Sequence, residues 1–212
     1  MLNELQNDLL KEYTNVFIGK AANVLSEMAN QRVLLSVPKI EVLSMQEHGI
    51  DQIKSHCLFN SGHIVSSSMS FGHNFSGRAL LIFPSNKAKD LVDACLGDIE
   101  LDGVKSSANE LADTDFDVLR EISNVILNSI IGEFGNMMGV KLEFTLPDIE
   151  LVFVSEIEQQ LYLKNNVHIL MFYTMFSLAE TKIDGVIVIA LGMDSLNMLI
   201  SKLDEILGEE NV

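Results

Sequence analysis

Apolar residues recur every three to four positions along two stretches of the chain, Glu12 to Met28 and Glu121 to Met137, and each stretch predicts an amphipathic helix. On a wheel turning roughly 100 degrees per residue, the first stretch gathers Leu10, Phe17, Ala21, Val24, Leu25 and Met28 at the back. Its front carries Glu12, Asn15, Gly19, Asn23 and Ser26, with Val16 at the edge. The second stretch puts Ile126, Ile130, Phe134 and Met137 at the back and Glu121, Asn124, Asn128, Gly132 and Gly135 in front. Runs rich in β-branched and apolar residues, bounded by Gly, Asn and Ser, predict strands over Pro38 to Met45, His63 to Phe71, Arg78 to Phe83, Val167 to Phe176 and Gly185 to Leu191. Two shorter helices, Asn86 to Leu96 and Asp194 to Leu207, open at an Asn or Asp cap.

The chain repeats itself. At a fixed offset of 109, Glu12, Asn15, Val16, Met28, Pro38, Ile40 and Glu41 fall on Glu121, Asn124, Val125, Met137, Pro147, Ile149 and Glu150. Further on, the run from Gly77 aligns with the run from Gly185 at an offset of 108. The reading is one domain, 1–212, made of two units: 1–97, a polar and acidic linker over 98–113, and 114–212. Each unit predicts helix, Pro-led strand, turn or short helix, two longer strands and a closing helix. Short connections favour antiparallel pairing. The expected fold class is therefore α+β: a tandem α-β-β-β-α duplication with pseudo-two-fold symmetry, one central antiparallel sheet and two equivalent long helices.

Composition narrows the function. A formal charge of −16, from 14 basic and 30 acidic residues, opposes binding to nucleic acid or to an anionic membrane surface. The longest second-half stretch without a charged residue, Asn165 to Ala179, is too short for a membrane span, and the N-terminus has no export-signal pattern, so a cytoplasmic protein is expected. Cys57 and Cys95 read as reduced buried thiols. His48, His56, His63, His73 and His168 show no ligand spacing, so no metal site is expected. Ser66 to Ser68 lie in a strand pattern without a nucleophile elbow and read as structural. The ten methionines read as core filling.

What remains is the repeated pair. Glu and Asn three positions apart are neighbours on a helix face, and a glycine beside them costs about 1 kcal/mol against alanine. One such pair is ordinarily a solvated face. Two, each with small neighbours, point to a surface that something approaches closely.

The order Glu-x-x-Asn-Val-x-x-Gly-x-Ala-Ala-x-x-Leu-Ser from Glu12, followed by Ser36-Val37-Pro38-Lys39-Ile40, resembles the CheC/CheX/FliY family of chemotaxis phosphatases, which act on the phosphorylated response regulator CheY. The resemblance covers essentially the whole chain. It implies a hydrolase of two-component signalling with two centres, as in the CheC type, without the flagellar-switch domain or N-terminal extension of FliY proteins. By matching positions, Glu12, Asn15, Glu121 and Asn124 are the implied catalytic residues, and Val16, Gly19, Val125, Asn128 and Gly132 the implied docking surface. Gly19, Ala22, Gly132 and Gly135 would permit close insertion of the helices. Asn128 stands where the first helix has Gly19, which sets the two centres apart.

The chemistry implied is the hydrolysis of an aspartyl phosphate. No cofactor of the protein's own is expected, since the regulator brings a magnesium ion and a lysine to its phosphoryl group. An asparagine can hold a water in line without repelling phosphoryl oxygens, while the glutamate pairs with the regulator's lysine. The alternative is a non-catalytic module that binds a receiver domain or the receptor deamidase CheD.

Overall fold

The computed structural model describes residues 2–44, 62–96, 111–156, 167–178 and 181–209. Most of the linker, the turn or short helix expected after the first strand, Cys57, His48 and His56 lie outside these residues. The first long helix, α1, spans Glu4–Ala29. Its start is fixed by a reciprocal capping box: Gln6 N–H donates to Asn3 Oδ1 and Asn3 N–H to Gln6 Oε1, both at 2.8 Å. The second long helix, α3, spans Asp113–Met138, with the shorter α2 over Ser85–Leu96 before it and α4 over Met193–Glu209 at the far end. Asn30 and Gly139, equivalent positions of the two units, both close their helices in the left-handed region, at φ 48° and 66°. A glycine fits there without strain, and asparagine is among the few other residues that tolerate it.

Among the described residues seven strands form one sheet, antiparallel throughout: β1 Val33–Ser44, β2 His63–Gly72, β3 Gly77–Pro84, β4 Glu143–Phe144, β5 Asp148–Phe153, β6 Val167–Leu178 and β7 Thr181–Gly192. Their order is β1-β6-β7-β3-β2, with β4 and β5 both paired to β2. The strand that follows the long helix and carries or follows its proline thus pairs with a strand of the other unit: β1 on β6, β5 on β2. Exchanging the units reverses the order β1-β6-β7-β3-β2-β5 onto itself. At its centre Leu80 faces Val188, its own counterpart in the second unit, so the approximate dyad passes through this pair.

The Pro-led strand of the first unit is longer than its sequence signal. β1 begins at Val33, ahead of Pro38, and the register against β6 shifts between Ser36 and Lys39. Proline has no N–H to give to a ladder, and an irregularity on an edge strand is where it is tolerated. In the second unit Pro147 does stand immediately before β5, and the short β4 precedes it.

Helices α1 to α4 all contribute to the main apolar core on one face of the sheet, and a second, smaller cluster that includes Ile64, Leu80, Met171 and Val188 lies on the other. Between the long helices Phe17 meets Phe134 edge-on with ring centroids 5.1 Å apart, and Lys20 pairs with Glu133 at 2.7 Å. Rising numbers on α1 meet falling numbers on α3, as the dyad requires. An edge-to-face aromatic pair adds about 0.5–1.5 kcal/mol beyond its buried area, and it holds the two candidate surfaces in a fixed relation.

Candidate functional site

The long helices display the repeated pairs unequally. On α1, Glu12, Asn15, Val16, Gly19 and Asn23 are all exposed, Val16 to 56%. A Cβ placed on Gly19 would have nothing within 4 Å. Among the described residues Asn15 has no hydrogen-bond partner, so its carboxamide stands free on an open, low surface.

On α3 the pair sits deeper. Glu121 is exposed, but Asn124, Val125, Asn128 and Gly132 are half-buried. The buried face of α3 takes in Ile122–Ser123, Ile126–Leu127 and Ile130–Ile131. Asn128 Nδ2 donates to Asn124 Oδ1 at 2.6 Å, while Asn128 Oδ1 is buried without a partner. A Cβ on Gly132, like one on Gly19, would meet nothing within 4 Å.

Several wheel positions are corrected. Val24 and Met28, expected at the back of α1, are 45% and 39% exposed, while Ala21 and Leu25 beside them are buried. Ala22 is buried and offers no room for an approaching partner. Gly135, expected in front, is buried where the chain folds back after the helix: its Cβ would come within 3.0 Å of the Val140 carbonyl and 3.1 Å of Leu142. Ser26 is half-buried and serves the fold, since its hydroxyl donates to the Ala22 carbonyl at 2.6 Å and accepts from Val33 N–H at 2.9 Å. The contact between Asn124 and Asn128 was readable in principle from their i,i+4 spacing, which lets polar side chains bond along a helix.

Comparisons with known proteins bear on this arrangement. No family model matches the chain. It is 25% identical over 155 residues to the flagellar motor switch phosphatase FliY of Bacillus subtilis, covering 73% of this chain and 38% of that protein. It is 20% identical over 152 residues to the CheY-P phosphatase CheC of the same organism, covering 71% of this chain and 68% of that one. The crystal structure of Thermotoga maritima FliY superimposes with a TM-score of 0.74 at 16% identity, covering 97% of this chain and 98% of that one. In sequence and in fold the chain is similar to proteins of the CheC/CheX/FliY family.

The fold is shared more widely. The middle domain of FliM from H. pylori superimposes with a TM-score of 0.65 at 12% identity, covering 95% of this chain and 99% of that one. The chain spans well under half the length of the curated FliY protein it matches. Among the described residues no helix is long and apolar enough to cross a membrane.

Proposed function

We propose that this chain dephosphorylates a CheY-type response regulator through two centres, Glu12 with Asn15 and Glu121 with Asn124. The observation that carries the reading is the doubled surface: each long helix carries a Glu-x-x-Asn pair and a glycine with open space around it, Gly19 about one turn beyond Asn15 and Gly132 about two turns beyond Asn124. A receiver domain can approach such a helix closely.

An aspartyl phosphate is a mixed anhydride. In-line attack by water on phosphorus breaks the bond to the aspartyl oxygen and releases inorganic phosphate and the free carboxylate. The protein need not supply a nucleophile. The carboxamide of Asn15 or Asn124 accepts a hydrogen bond from the water and holds it behind the phosphorus, a positional contribution with no charge to repel the phosphoryl oxygens. Glu12 and Glu121, one turn earlier, pair with the regulator's active-site lysine and orient the docked helix. The magnesium ion belongs to the regulator and neutralises charge on the transferring group. Val16, Gly19, Val125 and Gly132 form the surrounding contact surface.

The test is the decay rate of a phosphorylated CheY-type receiver in magnesium with wild-type protein, Asn15→Ala, Asn124→Ala and the double variant. Acceleration that falls stepwise and vanishes in the double variant supports two centres. Full acceleration by the double variant would sink the mechanism. Binding without any acceleration would favour an interaction module instead, with CheD or a receiver as its partner.

A further inference from the structure

We propose that Asn128 is a positioning residue for Asn124 and that the second centre is thereby preorganised where the first is not; this rests on the dephosphorylation reading above. Three observations carry it. Asn128 Nδ2 donates to Asn124 Oδ1 at 2.6 Å. The equivalent position on the first helix is Gly19, which has no side chain to offer. And Asn128 leaves its own Oδ1 buried without a partner.

The last observation separates a role from an accident. A buried acceptor with no hydrogen bond is unfavourable, and native proteins seldom keep one without cause. A glycine or alanine at 128 would avoid it. What the asparagine provides in return is a donor that removes the rotational freedom of the Asn124 carboxamide. One lone pair of Asn124 Oδ1 is engaged, while the second lone pair and the amide hydrogens stay available to a water and a phosphoryl oxygen. Asn15 carries no such restraint and must be ordered when the partner docks, which lowers the fraction of encounters in productive geometry. The partial burial of Asn124 acts in the same direction, since fewer waters compete for its oxygen.

The experiment uses Asn15→Ala protein, in which only the second centre can act, and adds Asn128→Ala, Asn128→Asp or Asn128→Gln. Turnover is followed with a CheY-type receiver kept phosphorylated by a small phosphodonor, and the mobility of the Asn124 side-chain amide is followed by 15N relaxation. Ordering one side chain corresponds to about a threefold to tenfold effect. The expected result for Asn128→Ala is therefore a kcat reduced about threefold to tenfold, a KM unchanged within about twofold, and a more mobile Asn124 amide. Asn128→Asp has lost the donor and turns the Asn124 amide over, so its kcat falls at least as far. Asn128→Gln keeps a donor within reach and recovers part of the rate.

An unchanged kcat, with or without a raised KM, overturns the positioning role. The dephosphorylation reading survives that result as long as activity still disappears in Asn15→Ala, Asn124→Ala protein. Full activity in that double variant removes the dephosphorylation reading instead. An Asn124 amide equally rigid in Asn128→Ala protein overturns the positioning role whatever the activity.

Discussion

Lys89 Nζ donates to Asp115 Oδ1 at 2.9 Å, tying helix α2 of the first unit to the first turn of α3 in the second. The carboxylate is almost wholly buried, and its other oxygen accepts from Ala112 N–H at 2.8 Å, so Asp115 also caps its own helix. Gln6, its counterpart in the first unit, makes the matching tie with opposite polarity: its Nε2 donates to Asp204 Oδ1 of α4 at 2.6 Å. Each long helix is thus anchored at its third residue to the short helix of the other unit.

Asp115→Ala should lower the unfolding free energy by about 1–2 kcal/mol through the lost cap alone. The pH dependence of the tie has a definite sign. The hydrogen bond that Lys89 donates to Asp115 raises the Lys89 pKa above its ordinary 10.5, against the opposing effect of burial and with further help from Asp93. The folded state therefore favours the ammonium, and this contribution is fully present below 10.5 and fades as pH rises through the higher folded value. The urea midpoint of wild-type protein should exceed that of Lys89→Met at pH 8, with the difference shrinking above pH 10.5. A difference that stayed constant to pH 12 would contradict the linkage.

Burial pushes the Cys95 thiol from 9.0 up to about 11. The folded chain holds the neutral thiol, so its stabilising contribution is complete below pH 9 and is lost as pH rises toward 11. The thiolate is the reactive form. In Cys57→Ser protein, alkylation of Cys95 by iodoacetamide should be slow at pH 8 and accelerate only as the pH approaches 11. A rate already levelling off near pH 9 would show an ordinary, accessible thiol.

Gly19 separates stability from docking. With no atom within 4 Å of a Cβ there, Gly19→Ala relieves the conformational cost of a mid-helix glycine and should raise stability by about 0.5–1 kcal/mol. Gly19→Leu should fold equally well, yet it projects a branched side chain beside Asn15. In an Asn124→Ala background, which isolates the first centre, kcat/KM for the phosphorylated receiver should fall about tenfold or more, as misplacement near a reacting centre does. Denaturation midpoints and turnover measured on the same samples decide it: a leucine variant with full activity would move the docking surface elsewhere.

The element types were legible in the sequence because amphipathic periods of 3.6 and runs of β-branched residues are local signals. The strand exchange was not, since nothing short-range in Pro38 to Met45 states that β1 pairs with β6 at the far side of the second unit. The start of β1 at Val33 was hidden by Pro38, which reads locally as a strand's beginning and sits instead at a register shift. In the candidate site the wheel placed Glu12, Asn15, Gly19 and Glu121 in the open, as found. It treated α1 and α3 as equally deep, and a wheel holds no information about how many neighbours a helix has. That is why Gly135 was misplaced and the half-burial of Asn124 unforeseen.

Charge provides the last prediction. A receiver that is acidic around its metal approaches a chain of formal charge −16 against repulsion. Raising ionic strength from about 10 to 150 mM shortens the screening length from about 30 to 8 Å, so kcat/KM should rise with salt while kcat, set by geometry after docking, stays level. The proposed pairs of Glu12 and Glu121 with the regulator's lysine act in the opposite direction, because an exposed ion pair of about 0.2–1 kcal/mol weakens as salt is added. The two effects are separated by Glu12→Gln, Glu121→Gln protein. Removing two negative charges from the −16 lessens the long-range repulsion, so if the glutamates were only part of the field, KM would fall at low salt. If they dock the lysine, KM should rise severalfold at every salt concentration, and kcat should hold because the asparagines are untouched.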